Sequence, residues 1–331
     1  MNVALVKLSS LGDVVHALPA AATLRARRPD ARITWIVERR EAAVLAGHPA
    51  IDEVVTVDTR AWRRSRGPAG WLAAGRAIAS LRARLRAGRF DVAVDLQGLL
   101  KSGVLVGMTG APLRIGFDPR HSREMSALFT NRRIVPAPGR HVVEHYLALV
   151  EPVAPGPPVL EFRLPSDPAA DAAIDDAFAA AGLKPRDRVA VINPGAGRPD
   201  KRWPAERHAA VARRLASDAG ARVLVVWGPG EEALGHAIVA GGGAGVLLAP
   251  PTDLHRLIAV LRRASVVVAG DTGPIHLAAA LGTPCVGIYG PTAAARNGPY
   301  GPGHRTLQGP DGRVESVGVD AVAAAAIELL G

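Results

Sequence analysis

Val266-Val267-Val268-Ala269-Gly270-Asp271-Thr272-Gly273-Pro274-Ile275-His276-Leu277-Ala278-Ala279-Ala280-Leu281-Gly282 is the most informative run in the chain. Its β-branched start predicts a buried parallel strand that Gly-Asp-Thr-Gly ends. An apolar helix is then expected from about Pro274 to Gly282. The first N–H groups of such a helix have no partner within it, so this turn is suited to hold a phosphate. Asp271 and His276 place polar side chains beside that position. Read blandly, the two are a helix N-cap and a satisfied helix residue. A related turn near the N-terminus favours the anion-binding reading.

The chain has 331 residues, 48% of them hydrophobic, which suggests two globular domains. The opening Met-Asn-Val-Ala-Leu-Val-Lys-Leu resembles a first strand and lacks the layout of a secretory signal. Cys285 is the only cysteine, which excludes an internal disulfide and a cysteine-based metal cluster. Together these features read as a cytosolic protein. Residues 1–165 carry 24 Lys+Arg against 14 Asp+Glu, whereas residues 166–331 carry 16 of each. The net charge of +10 therefore belongs to the first half. Such a half attracts an anionic partner: nucleic acid, a membrane surface or a phosphorylated acceptor.

From the N-terminus, a strand Val3–Leu8 is followed by the turn Ser9-Ser10-Leu11-Gly12-Asp13 and a helix through Val14–Ala20. The Gly-x-Gly-x-x-Gly dinucleotide fingerprint is absent. Asp13 reads as a helix N-cap or as a carboxylate at the C-terminal edge of a first strand, where open parallel sheets bind ligands. Strands are predicted at Ile33–Val37, Val54–Val57 and Val92–Leu96. Arg60, Arg63, Arg64 and Arg66 around Trp62 read as a solvated loop before an amphipathic helix Gly75–Gly88. Gly116–Glu124 reads as a polar loop, and Arg114, Arg120 and Arg123 extend the basic character. Proline density makes Glu151–Pro158 the candidate hinge, giving domains at 1–158 and 159–331.

The βα alternation then resumes. Strand Val189–Asn193 leads into a glycine-rich turn holding Ala196, Gly197 and Lys201, where a cation can meet a phosphate leaving group. Strand Val223–Trp227 ends near Glu231 and Glu232, either of which suits ribose hydroxyls or the positive end of a helix dipole. Cys285–Tyr289 reads as the last strand, and a closing helix Val319–Leu330 has the reach to cross back to the first domain.

These residues carry a family resemblance. Lys7-Leu8-Ser9-Ser10-Leu11-Gly12-Asp13-Val14-Val15-His16-Ala17-Leu18-Pro19 resembles the opening motif of family 9 glycosyltransferases, in the branch that adds the first inner-core heptose of lipopolysaccharide. Asp95–Ser102 and Gly116–Glu124 are similar to acceptor-domain segments of that family. Asp200–Pro204, Gly270–Leu277 and Gly290-Pro291-Thr292 are similar to its donor-domain motifs.

The resemblance implies an α/β fold of the GT-B type, with two Rossmann-like, doubly wound parallel-sheet domains facing across a cleft. It implies inverting transfer of heptose from ADP-heptose to Kdo-lipid A with no required metal or cofactor, by an enzyme peripheral to the cytoplasmic face of the inner membrane. Carried over residue by residue, Asp13 is the general base and Lys201 stabilises departing ADP. Asp271, Thr272, Gly273 and His276 hold the donor, with Ala196, Gly197 and Glu231 or Glu232. Ala196 and Gly197 stand where hydroxyl-bearing residues are expected, so phosphate contacts there fall to backbone N–H groups. Ser10, Gly12, Arg60, Arg63, Arg64, Gln97, Lys101 and Arg120 are the acceptor-side candidates. No Asp-x-Asp pair occurs in the chain.

Three other readings compete. A nucleotide-sugar epimerase of the same fold would not need a basic first half. A nucleic-acid-binding protein would explain the charge, but only 4% of residues are aromatic and no reader motif is recognisable. A non-catalytic sugar-nucleotide sensor has no use for a carboxylate at Asp13.

Overall fold

The computed structural model describes all 331 residues, which form two compact units, Met1–Pro165 and Ser166–Gly331. The first unit runs β1 (Asn2–Val6), α1 (Leu11–Arg27), β2 (Arg32–Glu38), β3 (Glu53–Val57), α2 (Thr59–Arg64), α3 (Gly67–Ala87), β4 (Val92–Asp95), α4 (Leu100–Thr109), β5 (Leu113–Phe117), β6 (Arg132–Ile134) and α5 (Val142–Val150). All its strand pairs are parallel, in the order β3-β2-β1-β4-β5-β6. Val3 of β1 pairs with Ile33 on one side and Val92 on the other. Helices cover both faces of such a sheet, which is why β1 is apolar and buried from Val3 to Val6.

The second unit repeats the plan: α6 (Pro168–Ala180), β7 (Val189–Asn193), α7 (Ala205–Ala219), β8 (Arg222–Val225), α8 (Glu232–Gly242), β9 (Val246–Leu248), α9 (Leu254–Arg263), β10 (Val266–Gly270), α10 (Gly273–Ala280), β11 (Cys285–Tyr289), α11 (Ala294–Asn297), β12 (His304–Gln308) and α12 (Val319–Leu330). Its parallel sheet has the order β12-β11-β10-β7-β8-β9. Counted from each unit's own first strand, both sheets follow the doubly wound order 3-2-1-4-5-6. In each, the direction of winding reverses between the first and fourth strands, where open α/β sheets bind ligands. α12 buries Val322, Ala323 and Ala326 in the second unit's core.

Several expectations change. The arginine-rich stretch after β3 is helical: Asp58 caps α2 by accepting the Ala61 N–H at 2.8 Å, and Gly67-Pro68 then opens α3. Gly116 and Phe117 belong to β5 and not to a loop, and β12 follows the strand expected to be last. The proline-rich segment is pinned to α1, since Arg28 donates to the Val153 carbonyl at 2.8 Å and Arg27 to that of Pro157 at 2.7 Å. It therefore belongs to the first unit, and the division falls after Pro165, beyond the break expected at Pro158.

Candidate active site

In the second unit, the turns after β7 and β10 flank the reversal point. Asn193, the last residue of β7, donates from Nδ2 to the Gly195 carbonyl and to Thr272 Oγ1, both at 3.2 Å, tying the two turns together. Thr272 is the N-cap of α10 and Asp271 stands one residue before it, so Asp271 is not the cap. Its carboxylate is only 10% exposed and is gripped from both sides: Lys201 Nζ lies 2.5 Å from Oδ2 and His276 Nε2 3.2 Å from Oδ1. Burial pushes the Asp271 carboxyl up, but His276 and Lys201 outweigh it and hold the group far below the usual carboxylate range. Asp271 is thus a fixed anion that positions two donors. The α10 start has no side-chain cap bond, which leaves its backbone N–H groups for an anion.

Gly195 has a local role. A Cβ there would lie 2.0 Å from the Glu231 carboxylate, so the missing side chain lets Glu231 fold onto the β7 turn. Glu231 Oε2 also accepts the Gly228 N–H at 3.0 Å. Glu232 instead stands exposed beside His236, 3.9 Å away on its own helix. Ala196 is buried, and its carbonyl accepts from Arg202 Nε at 3.0 Å. Gly197 faces open space.

In the first unit, the matching reversal point carries Asp13. It occupies the third position of α1, while Ser10 is the N-cap, so the N-cap reading of Asp13 is corrected. Asp13 Oδ2 accepts the Ser10 N–H at 3.0 Å and the Ser10 hydroxyl at 2.9 Å, which gives the capping-box geometry. Tyr146 of α5 donates its hydroxyl to Oδ1 at 3.2 Å. Lys7, the residue after β1, is buried; its Nζ lies 3.6 Å from Asp13 Oδ1 and donates to the Tyr146 hydroxyl at 2.6 Å. The Asp13 side chain nonetheless remains 39% exposed, open to a substrate hydroxyl.

The other acceptor-side candidates surround this turn in different ways. Gln97 Oε1 accepts the N–H groups of Leu8 and Ser9 at 3.0 and 3.2 Å, so it holds the β1 turn in shape. Lys101 Nζ donates to Ser9 Oγ at 3.4 Å and lies 3.8 Å from Glu38. Glu38 in turn accepts the Thr59 N–H at 3.2 Å, which fastens the start of α2 to the same edge. Gly12 is buried in the first turn of α1. Arg60, Arg63 and Arg64 project from α2 and, with Arg66, line an open recess of about 460 Å³. Arg120 is exposed after β5 and is not part of that recess. Its loop reaches the β4 turn, where the Arg123 N–H donates to the Gly98 carbonyl at 2.7 Å. Gly98 has φ +70° and donates its N–H to the buried Asp95, a bend that favours glycine.

Sequence reasoning missed Lys7, Tyr146 and Asn193 as members of these sites. Asn193 had a signal, a polar residue closing an apolar strand at the reversal point. Lys7 and Tyr146 meet only through the fold.

Comparison with known proteins places these features in a family. The model of glycosyltransferase family 9 (heptosyltransferase) matches residues 78–315. Lipopolysaccharide heptosyltransferase 1 of Escherichia coli O18:K1:H7 (strain RS218 / NMEC) is 32% identical over 323 residues, covering 97% of this chain and 96% of that protein. The solved structure of E. coli heptosyltransferase WaaC with ADP superposes with a TM-score of 0.79 at 31% identity, over 99% of this chain and 100% of that one. WaaC with ADP-2-deoxy-2-fluoro heptose gives 0.77 at 32% identity, over 98% of both chains. The two parallel six-stranded sheets are accordingly of the GT-B type, and the chain belongs to glycosyltransferase family 9, the heptosyltransferases.

Proposed function

We propose that this enzyme moves heptose from ADP-heptose to an anionic glycolipid, Kdo-lipid A, in inner-core lipopolysaccharide synthesis, with inversion at the anomeric carbon. One observation carries the reading: each unit holds half of the required chemistry at its reversal point. The first presents an accessible carboxylate, Asp13, and the second presents Lys201 and a helix N-terminus organised around Asp271. The likeness to lipopolysaccharide heptosyltransferase 1 supports the choice of sugar and recipient.

In the reaction, Asp13 takes the proton of the acceptor hydroxyl as its oxygen attacks the anomeric carbon. The bond from that carbon to the diphosphate breaks on the opposite face, and ADP departs with the bonding electrons. Lys201 and the N–H groups of α10 neutralise the charge that develops on the diphosphate. His276 and Asp271 hold Lys201 and the turn in place. Glu231 meets the ribose hydroxyls, and Gly197 admits the diphosphate to the backbone. Arg60, Arg63, Arg64 and Arg120 attract acceptor phosphates and carboxylates, while Ser10, Gln97 and Lys101 shape the turn that aims Asp13. The enzyme works at the cytoplasmic face of the inner membrane without a metal; no helix is long and apolar enough to cross a membrane.

The test is a panel of ADP-, UDP- and GDP-sugars assayed with Kdo-lipid A. Release of ADP should depend on acceptor and survive a chelator. Asp13→Ala should lose about 10²–10⁴ in kcat while retaining donor affinity. Acceptor-independent release, or full activity in Asp13→Ala, would refute the proposal.

A further inference from the structure

All large apolar side chains that stand exposed belong to the first unit, the unit that also carries the net positive charge. Five of them, Trp71, Leu72, Leu100, Met125 and Leu128, lie in one layer: α3, its neighbour α4, and the turn around Ser126–Phe129 that packs on α4.

α3 shows why the surface is unusual. Its inward stripe follows helical spacing through Trp71, Ala74, Ile78, Leu81 and Leu85. Leu81 and Leu85 are buried, Ala74 and Ile78 are half-buried, and Trp71 is 65% exposed beside Leu72 at 56%. The apolar stripe therefore continues past the edge of the core that covers its other end. From Thr59 to Phe90 the chain has nine arginines and no acidic residue, and of these arginines only Arg84 pairs with a carboxylate, that of Glu53.

The surface is tied to the Asp13 turn. Glu38 accepts from Thr59 at the start of α2 and lies 3.8 Å from Lys101 at the start of α4, and Lys101 reaches Ser9. The Leu100 N–H donates to Glu124, next to Met125, at 3.3 Å. The arginine helix, the apolar residues Leu100 and Met125, and the Asp13 turn thus share the C-terminal edge of the first sheet.

We propose that this edge, led by Trp71 and Leu72, docks on an anionic bilayer surface. The two side chains enter the interfacial region, where an amphipathic indole is well placed, and the surrounding arginines meet lipid phosphates. A soluble polyanion would account for the arginines but not for a solvent-exposed Trp-Leu pair at the end of a core stripe. The inference rests on the proposed glycolipid acceptor, which it would bring to the Asp13 edge without leaving the bilayer.

The full chain is sedimented with vesicles of phosphatidylcholine alone and with roughly one-third phosphatidylglycerol. The expected result is binding to the anionic vesicles only, weakened by salt, with a blue shift in tryptophan emission that Trp71→Phe removes. The Trp71→Ser/Leu72→Ser double variant should bind about tenfold more weakly. It should keep its melting temperature and its rate on a water-soluble Kdo acceptor without acyl chains. Absence of wild-type vesicle binding, or equal binding by the double variant, overturns the proposal. A loss of turnover on the soluble acceptor also overturns it, by making Trp71 and Leu72 substrate contacts. Vesicle binding as described, without heptose transfer to Kdo-lipid A, would leave the docking surface standing and refute the proposed acceptor.

Discussion

Asp13 works under a constraint visible in its contacts. Oδ2 is taken by Ser10, while Oδ1 faces Tyr146 and Lys7, so both oxygens are oriented before a substrate arrives. A hydrogen bond to a charged group contributes about 1.5–3 kcal/mol, so Tyr146→Phe should lower kcat roughly ten- to a hundredfold with donor affinity unchanged. Steady-state kinetics beside ADP titration separates the two. Across the second site, Lys201→Ala should cost about 10²–10³ in kcat, because in the proposed reaction the ammonium acts on charge that appears only as the diphosphate leaves. Glu231→Ala should weaken ADP binding about tenfold by calorimetry and Glu232→Ala should leave it unchanged, since only Glu231 folds onto the β7 turn. Asp13, Lys201 and Asp271 were legible because each follows a strand in a glycine-containing turn. Choosing between the two glutamates was not, because adjacent residues at a helix start point in different directions. Lys7 and Tyr146 left no pattern, being 139 residues apart and joined only where α5 packs on α1.

Among the elements, β7, β11 and α12 occur at their expected bounds, because β-branched or apolar runs closed by a proline or a glycine admit few alternatives. β6 and β12 were invisible for a physical reason. They are edge strands, three and five residues long, with alternating or charged side chains such as Arg132, Arg133 and Arg305 facing solvent. α7 carries a consequence for acid stability. Its His208 is buried edge-on against Trp203, with ring centroids 5.0 Å apart, and burial pushes its imidazole down to about 3. The unfolded chain takes up that proton near pH 6.5, whereas the folded chain refuses it until about pH 3. Stability from this site is therefore complete above pH 6.5 and falls as pH drops toward 3, by about 1.4 kcal/mol for each pH unit. His208→Phe, which keeps a ring against Trp203, should flatten unfolding free energy against pH in that window.

At the scale of the whole molecule, charge and fold are distributed differently. The two sheets share one strand order, yet the basic excess lies in the first unit alone. Salt should accordingly raise the acceptor KM steeply and change ADP affinity less, because exposed arginines are screened while the partly buried Lys201–Asp271 pair is not. Replacing Arg60, Arg63 and Arg64 together with serine should raise acceptor KM at low salt and remove most of its salt dependence. ADP affinity should stay at the wild-type value in the same variant. Halves of like plan that each close their own core are also suited to recombination. On the proposed division of labour, an exchange near Pro165 would swap the acceptor-binding half intact and leave the nucleotide grip untouched, so a lineage could acquire a new recipient without rebuilding its donor pocket.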